Sequence, residues 1–163
     1  MNDVYIIATG GTLDKLYDEI NGNLVFRSTH LAEMLNISRC KVCAELNIAM
    51  LKDSLYMDEE DRMKILKLCL ESKKGGIVIT HGTDTMVETA KILGEKIKDK
   101  TIVLTGAMVP YSFGKSDSLF NLGGAIACAQ ILPKGVYITM NGKIFHWHNV
   151  MKDKEAGEFK VLV

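Results

Sequence analysis

Two threonine-bearing glycine turns sit roughly seventy residues apart, Thr9-Gly10-Gly11-Thr12 and His81-Gly82-Thr83-Asp84-Thr85. Each follows directly on an apolar run, Val4 to Ala8 and Ile77 to Thr80, that reads as a buried parallel strand. If the two strands are neighbours in one sheet, both turns open at the same carboxyl edge, where α/β proteins bind their ligands. Their glycines permit a tight turn and a close approach of backbone to ligand. The residue types suit hydroxyl chemistry: a threonine oxygen is a weak nucleophile at neutral pH and needs a nearby base or hydrogen-bond relay. Phosphate binding is disfavoured, because the chain has no GxGxxG, no GxxxxGKS/T and no lysine inside either turn.

The elements that must carry these turns follow an alternation of strand, turn and helix. The polar stretch Asp14 to Arg27, with the turn signal Asn21-Gly22-Asn23, reads as a hairpin or mobile loop and is the candidate lid. A short helix is expected after Ser28-Thr29, with Leu31, Met34 and Leu35 at helical spacing, followed by a strand over Lys41 to Met50. Met57 to Asp61 is an acidic helix start, and Met63, Ile65, Leu66, Leu68, Cys69 and Leu70 are expected on its core side up to the Lys73-Lys74-Gly75-Gly76 stop. Beyond the second turn the pattern predicts a helix over Met86 to Ile97, a strand over Thr101 to Thr105, a third turn at Gly106 to Pro110 and a helix over Leu119 to Leu132. That last helix carries a stripe of small residues, Gly123, Gly124 and Ala127, expected to allow close packing, and Gly135 to Met140 supplies another strand. Strands alternating with helices predict a single-domain three-layer α/β/α fold over residues 1–163, with a mostly parallel sheet covered on both faces.

The bulk properties narrow the partners. With 163 residues, 47% of them hydrophobic, and a formal net charge of zero, the chain suits one domain with a small, uncharged partner rather than nucleic acid. No run approaches the roughly 20 apolar residues that cross a bilayer, and the opening MNDVYIIATGG lacks the parts of an export signal, so a cytoplasmic protein is expected. Cys40, Cys43, Cys69 and Cys128 are expected as free thiols. The CxxC at Cys40 and Cys43 has no second CxxC to complete a zinc ribbon and opens no helix as a redox pair would. His146, Trp147 and His148 would put both imidazoles on one face of a strand, but no third metal ligand is evident, which leaves an edge or interface role.

Taken together, TGGT, KDSLYM (Lys52 to Met57), HGTDTMVETA (His81 to Ala90), LTGAMVP (Leu104 to Pro110) and GVYITMNGKI (Gly135 to Ile144), in this order, resemble the bacterial-type L-asparaginases over nearly the whole chain. The resemblance implies hydrolysis of L-asparagine to L-aspartate and ammonia without metal or cofactor, in a homodimer or higher homo-oligomer. It also assigns roles. Thr12 is the nucleophile that forms a β-aspartyl enzyme, and Thr9 is structural. Tyr17 matches the tyrosine of one proton relay, although it stands closer to Thr12 than in long members. Thr83, Asp84 and Lys152 match a second relay, in which the lysine orients or activates the attacking water. Asp84 suits the substrate ammonium, Ser54 and the N–H groups around Thr83 suit its carboxylate, and Asp53 precedes Ser54 as in some members. Backbone N–H groups at Gly11-Thr12 and Gly82-Thr83 are the oxyanion-hole candidates, and the Ala107 carbonyl is a candidate acceptor for the departing amide.

The pattern also departs from long members of that family. Those have a second domain that supplies a glutamate and an asparagine to a neighbouring subunit's site, residues with no counterpart in these 163, and the MVETA, DSLYM and early-tyrosine features look like the family's short members. A complete short form with weakened substrate affinity is therefore expected. Leu55 stands where long members often carry a glutamine or a second serine, removing one polar contact. Two other functions fit the residues: an amino-acid-binding or partner-dependent module without efficient turnover, and an amidase acting on glutamine or an aminoacyl-tRNA-linked amide. The neutral charge speaks against a tRNA partner.

Overall fold

The computed structural model describes residues 3–162. Strand β1 (Val4–Gly10) lies one strand in from the edge of a six-stranded sheet with β4 (Ala44–Lys52), β5 (Gly76–Thr80), β6 (Thr101–Thr105), β7 (Gly135–Met140) and β8 (Lys143–His146), in the order β4-β1-β5-β6-β7-β8. Every pairing is parallel except β7 with β8, which close an antiparallel hairpin through Asn141-Gly142. Two small hairpins lie apart from this sheet: β2 (Leu16–Asp18) with β3 (Asn23–Val25), and β9 (Met151–Asp153) with β10 (Glu158–Lys160).

Alternation along the strands sends side chains to two cores. From β1, Val4, Ile6 and Ala8 join Val103 and the helices α1 (Leu31–Ile37) and α4 (Ser118–Ile131). Tyr5 and Ile7 join Ile77, Ile79, Ile102 and Leu104 against α2 (Glu59–Glu71) and α3 (Met86–Lys96). Strands buried on both faces read as continuous apolar runs, which is why Ile77 to Thr80 and Thr101 to Thr105 carry no polar alternation. The three-layer α/β/α expectation holds, and the strand and helix order matches the one read from the residues.

Local details differ. The first turn of α2 closes with a capping box in which the Asp58 carboxylate accepts from the Asp61 N–H, and the Asp61 carboxylate accepts from the Asp58 N–H. Its buried face is Ile65, Leu66 and Cys69, whereas Met63 and Leu70, expected in the core, are exposed. A helix buries one stripe, and six apolar residues within eight positions cannot all share it. The small-residue stripe of α4 does not give the expected close packing throughout. A Cβ on Gly124 would sit 3.4 Å from Thr139 Cγ2, but Gly123 faces open space and Ala127 is exposed. The N-cap of α1 is His30, without a side-chain bond of its own. Thr29, one residue earlier, does the capping expected of this segment: its Oγ1 accepts from the N–H of Leu31, the first helical residue (3.3 Å), while its O–H donates to Asp14. Among the described residues no helix is long and apolar enough to cross a membrane.

Candidate active site

The order β4-β1-β5-β6 brings four strand ends to one edge, so the turns at Thr9 to Thr12, Asp53 to Tyr56, His81 to Thr85 and Gly106 to Pro110 are consecutive corners of one cleft. The first and third of these touch. A Cβ built on Gly11, whose φ of 76° favours glycine, would lie 2.4 Å from Gly82 N and 2.5 Å from Gly82 Cα, so the corners meet backbone to backbone. A Cβ on Gly82 would in turn strike Ser54 Oγ at 2.5 Å. Three corners are thereby held in contact by two missing side chains.

Polar bonds complete the assembly. Thr9 is buried and its hydroxyl donates to the Thr80 carbonyl (2.7 Å), tying β1 to β5 as a structural residue. The Thr85 hydroxyl donates to the Ser54 carbonyl (2.9 Å) and the Thr85 N–H to Ser54 Oγ (3.3 Å), which leaves the buried Ser54 its O–H as a donor. Lys152 reaches in from β9, with its ammonium donating to Thr83 Oγ1 and to Asp84 Oδ1, both at 2.7 Å, and only 14% of its side chain exposed. Lys152 is therefore not one of the surface lysines of its segment. Register in the β9–β10 hairpin puts it opposite Phe159, which is anchored in the core.

His81 sets the corner that carries Thr83 and Asp84. Its ring is wholly buried, with Nδ1 2.7 Å from the Gly82 carbonyl and Nε2 2.8 Å from Thr89 Oγ1. A carbonyl can only accept, so Nδ1 carries the proton and Nε2 accepts from the threonine. Burial lowers its pKa from 6.5 to about 4, opposed by the bond to Gly82 and assisted by the nearby Arg62 guanidinium, so the ring is neutral at physiological pH.

Several expected residues turn out differently employed. The Gly11 N–H donates to the Lys52 carbonyl (3.0 Å), so Gly11 contributes space rather than an oxyanion donor, and the Thr12 N–H remains for that role. Asp53 caps the short turn Ser54–Tyr56 by accepting from the Leu55 N–H (3.0 Å), and its other oxygen is held by the Lys15 ammonium. Burial raises the pKa of Asp53, but the bonds from Lys15 and Leu55 and the charges of Lys15 and Lys152 outweigh it and leave the carboxyl below its usual range. Tyr17 is 55% exposed on β2, opposite Leu24, and its hydroxyl forms no hydrogen bond among the described residues. Leu55 is exposed at the cleft. Ala107 is buried in the Gly106 to Pro110 corner, beside a Gly106 carbonyl that accepts from Asn121 Nδ2 (2.9 Å).

The structure thus groups Thr12, Ser54, Gly82, Thr83, Asp84 and Lys152, while Tyr17 lies half exposed on its hairpin. Lys15, Thr85 and Asp117 were missed. Asp117 accepts from the N–H groups of Met108 and Val109 and from the amides of Asn121 and Asn141, and so organises the Gly106 to Pro110 corner. Only Thr85 carried a signal, its place in HGTDT; the roles of the other two exist only through tertiary contacts. His146 and His148 have ring centroids 5.0 Å apart, yet no group of three or more metal-ligating side chains occurs among the described residues. All four cysteines are free thiols.

With this geometry established, the asparaginase N-terminal family model matches residues 3–157. The chain belongs to the asparaginase family. It is 34% identical over 154 residues to a glutamyl-tRNA(Gln) amidotransferase component from Methanococcus vannielii, an alignment covering 88% of this chain and 35% of that protein. The thermostable L-asparaginase of Thermococcus kodakarensis superimposes with a TM-score of 0.87 at 28% identity, over 98% of this chain and 51% of the other. A probable cytoplasmic L-asparaginase of Campylobacter jejuni gives 0.80 at 32% identity, over 93% and 50%. The chain spans about half or less of the length of these relatives. Amide hydrolysis is the family's chemistry, and the sheet and helices here match its N-terminal domain.

Proposed function

We propose that the protein hydrolyses the side-chain amide of L-asparagine, with Thr12 as nucleophile. The observation that carries this reading is the Lys152 ammonium bonded at once to Thr83 and Asp84, in a corner packed against the one bearing Thr12. Thr12 Oγ adds to the amide carbon, the C–N bond breaks, and ammonia leaves with the threonine proton added to its nitrogen. Water then cleaves the β-aspartyl ester, returning the hydrogen to Thr12 and releasing aspartate. In this scheme the Thr12 N–H and the Gly82-Thr83 N–H groups stabilise the oxyanion, the Ala107 carbonyl accepts from the departing amide, and Lys152 with Thr83 orients the water. Asp84 takes the substrate ammonium through Oδ2, which Lys152 leaves free, and Ser54 donates its O–H to the substrate carboxylate. Tyr17 supplies the relay tyrosine of this scheme, its ring half exposed and its hydroxyl without a hydrogen bond among the described residues. The scheme needs no metal or cofactor.

A second reading is favoured by the relative from Methanococcus vannielii: an amidase acting on glutamine, with its ammonia used by a partner. Ammonia release from L-asparagine and L-glutamine, measured side by side for wild type and Thr12→Ala, separates the two. Turnover of asparagine abolished in Thr12→Ala supports the first reading; turnover confined to glutamine supports the second. Binding of either amino acid in a thermal-shift assay with no ammonia from either would make this domain a binding module. The exposed Leu55 leads us to expect half-saturation above the micromolar range. We read residues 1–163 as one catalytic domain, in the cytoplasm like the Campylobacter jejuni relative, to be checked by cell fractionation. We also read it as a homo-oligomer. Helix α4 has no charged residue and exposes Leu119, Phe120 and Ile131, and sedimentation tests the assembly.

A further inference from the structure

Lys15 bonds to two corners of the cleft and to the loop that follows another. Its N–H donates to the Thr12 carbonyl (3.2 Å), closing the short turn Thr12–Asp14. The ammonium holds the Asp53 carboxylate, with side-chain exposures of 18% and 23% for the two partners. The Lys15 carbonyl accepts from the Ser112 hydroxyl (2.8 Å), which belongs to the loop after β6. The same ammonium lies 5.8 Å from the ring centroid of Phe26, on the segment returning from the β2–β3 hairpin.

The strands themselves are joined without Lys15, because the Gly11 N–H to Lys52 carbonyl bond already ties the end of β1 to β4. What Lys15 determines is the path of the chain as it leaves Thr12. On the far side of the hairpin, the buried Asp14 carboxylate accepts from the Thr29 hydroxyl (3.0 Å) and the His30 N–H (2.8 Å), closing the base of the 15–28 segment. Among the described residues the tip bonds only within the hairpin, to Asp18, and Ile20 is 84% exposed. A hairpin held at its base passes any displacement of its strands to its root, and its root is the residue that ends the nucleophile's turn. Among the described residues, the Lys15–Asp53 pair is the side-chain bond that links that root to the turn carrying Ser54.

We propose that Lys15, acting through Asp53, is a positioning residue that sets the Thr12 hydroxyl relative to the substrate held at Ser54. This rests on the function proposed above. Ser54 and Asp84 keep their own bonds when Lys15 is removed, so ground-state binding survives while the attack geometry degrades. Misplacement of a reacting group by about 1 Å costs on the order of 100-fold in rate.

The test is Lys15→Met, Lys15→Arg, Asp53→Asn and the double variant Lys15→Met/Asp53→Asn, assayed for ammonia release with amide hydrogen exchange followed in parallel. For Lys15→Met we expect kcat to fall at least ~10-fold with KM within ~3-fold, which marks loss of transition-state geometry rather than of binding. Lys15→Arg recovers most of kcat by restoring the charged bond, and the double variant is no worse than Lys15→Met, because the pair acts as a unit. Exchange at the Asp14 and Lys15 amides rises ~10-fold in Lys15→Met while the sheet amides stay protected. Wild-type kcat in Lys15→Met, a rise in KM alone, or no recovery with arginine overturns the proposal. Should wild type release no ammonia from either amide, the functional reading falls instead, and unchanged exchange at Asp14 and Lys15 then overturns the positioning role by itself.

Discussion

Acidification is the perturbation that most directly tests how the corner bearing Thr83 and Asp84 is built. His81 has a folded pKa of about 4 against 6.5 for the ordinary imidazole. Between those values the unfolded chain binds a proton that the folded chain refuses, so stability rises with pH there. The contribution is complete above the unfolded value and is lost as pH falls from 6.5 towards 4. The shift of 2.5 units corresponds to about 3 kcal/mol in full, of which about 2 kcal/mol is lost by about pH 5. Other groups titrate as well. Burial raises the pKa of Asp14 in spite of its bonds from His30 and Thr29, so its slope runs the other way, with stability lost as pH rises. A difference measurement removes such shared terms. In His81→Asn the side-chain N–H can still donate to the Gly82 carbonyl, but nothing titrates. Urea unfolding of both proteins at about pH 7.5 and about pH 5 should show wild type losing about 2 kcal/mol more than the variant. Parallel losses would refute the buried neutral imidazole. If His81→Asn does not fold, an NMR titration of wild type decides: ring shifts that move with a midpoint near 6.5 contradict the reasoning, and shifts flat down to about pH 5 support it.

Gly11→Ala puts a methyl group 2.4 Å from Gly82 N at a φ of 76°. A cost of ~2–4 kcal/mol from overpacking and left-handed strain, together with loss of turnover, is expected from chemical denaturation and the ammonia assay. Asp117→Asn keeps the shape of the Gly106 to Pro110 corner but replaces an acceptor of four donors with a group that is half donor; burial raises the Asp117 pKa, and the Met108, Asn141 and Val109 bonds bring it below the usual range. The variant should lose ~1.5–3 kcal/mol at neutral pH, and its deficit should shrink as acid protonates the wild-type carboxyl. Thr12→Ala should abolish ammonia release while still melting cooperatively, since its hydroxyl makes no hydrogen bond among the described residues that folding depends on.

Much of the architecture was legible because parallel strands covered on both faces leave unbroken apolar runs, and glycine turns mark where those runs stop. Val4 to Ala8, Ile77 to Thr80 and Thr101 to Thr105 each became a sheet strand. The helices were harder to read in detail. The residues of α2 announce a helix, but Met63 and Leu70 are as apolar as Ile65, and only packing against α3 and the sheet selects which stripe is buried. Likewise, Gly123 and Gly124 are the same residue with different surroundings, one in the open and one against Thr139.

For the site, the amino-acid order by itself determined that hydroxyls and a carboxylate would stand at strand ends, because turn chemistry and strand periodicity are local properties of the chain. Tertiary structure alone decided which of those groups share a cleft. The strand order β4-β1-β5 brings Gly11 onto Gly82 and Ser54 onto Thr85, and the hairpin after β8 returns Lys152 across 69 residues to Thr83. It also gave Gly11 and Asp53 structural bonds in place of open ones and left Tyr17 half exposed. Hydrogen bonds are settled by which partner lies within about 3 Å, and that distance depends on the packing of the whole sheet, not on neighbours in the chain.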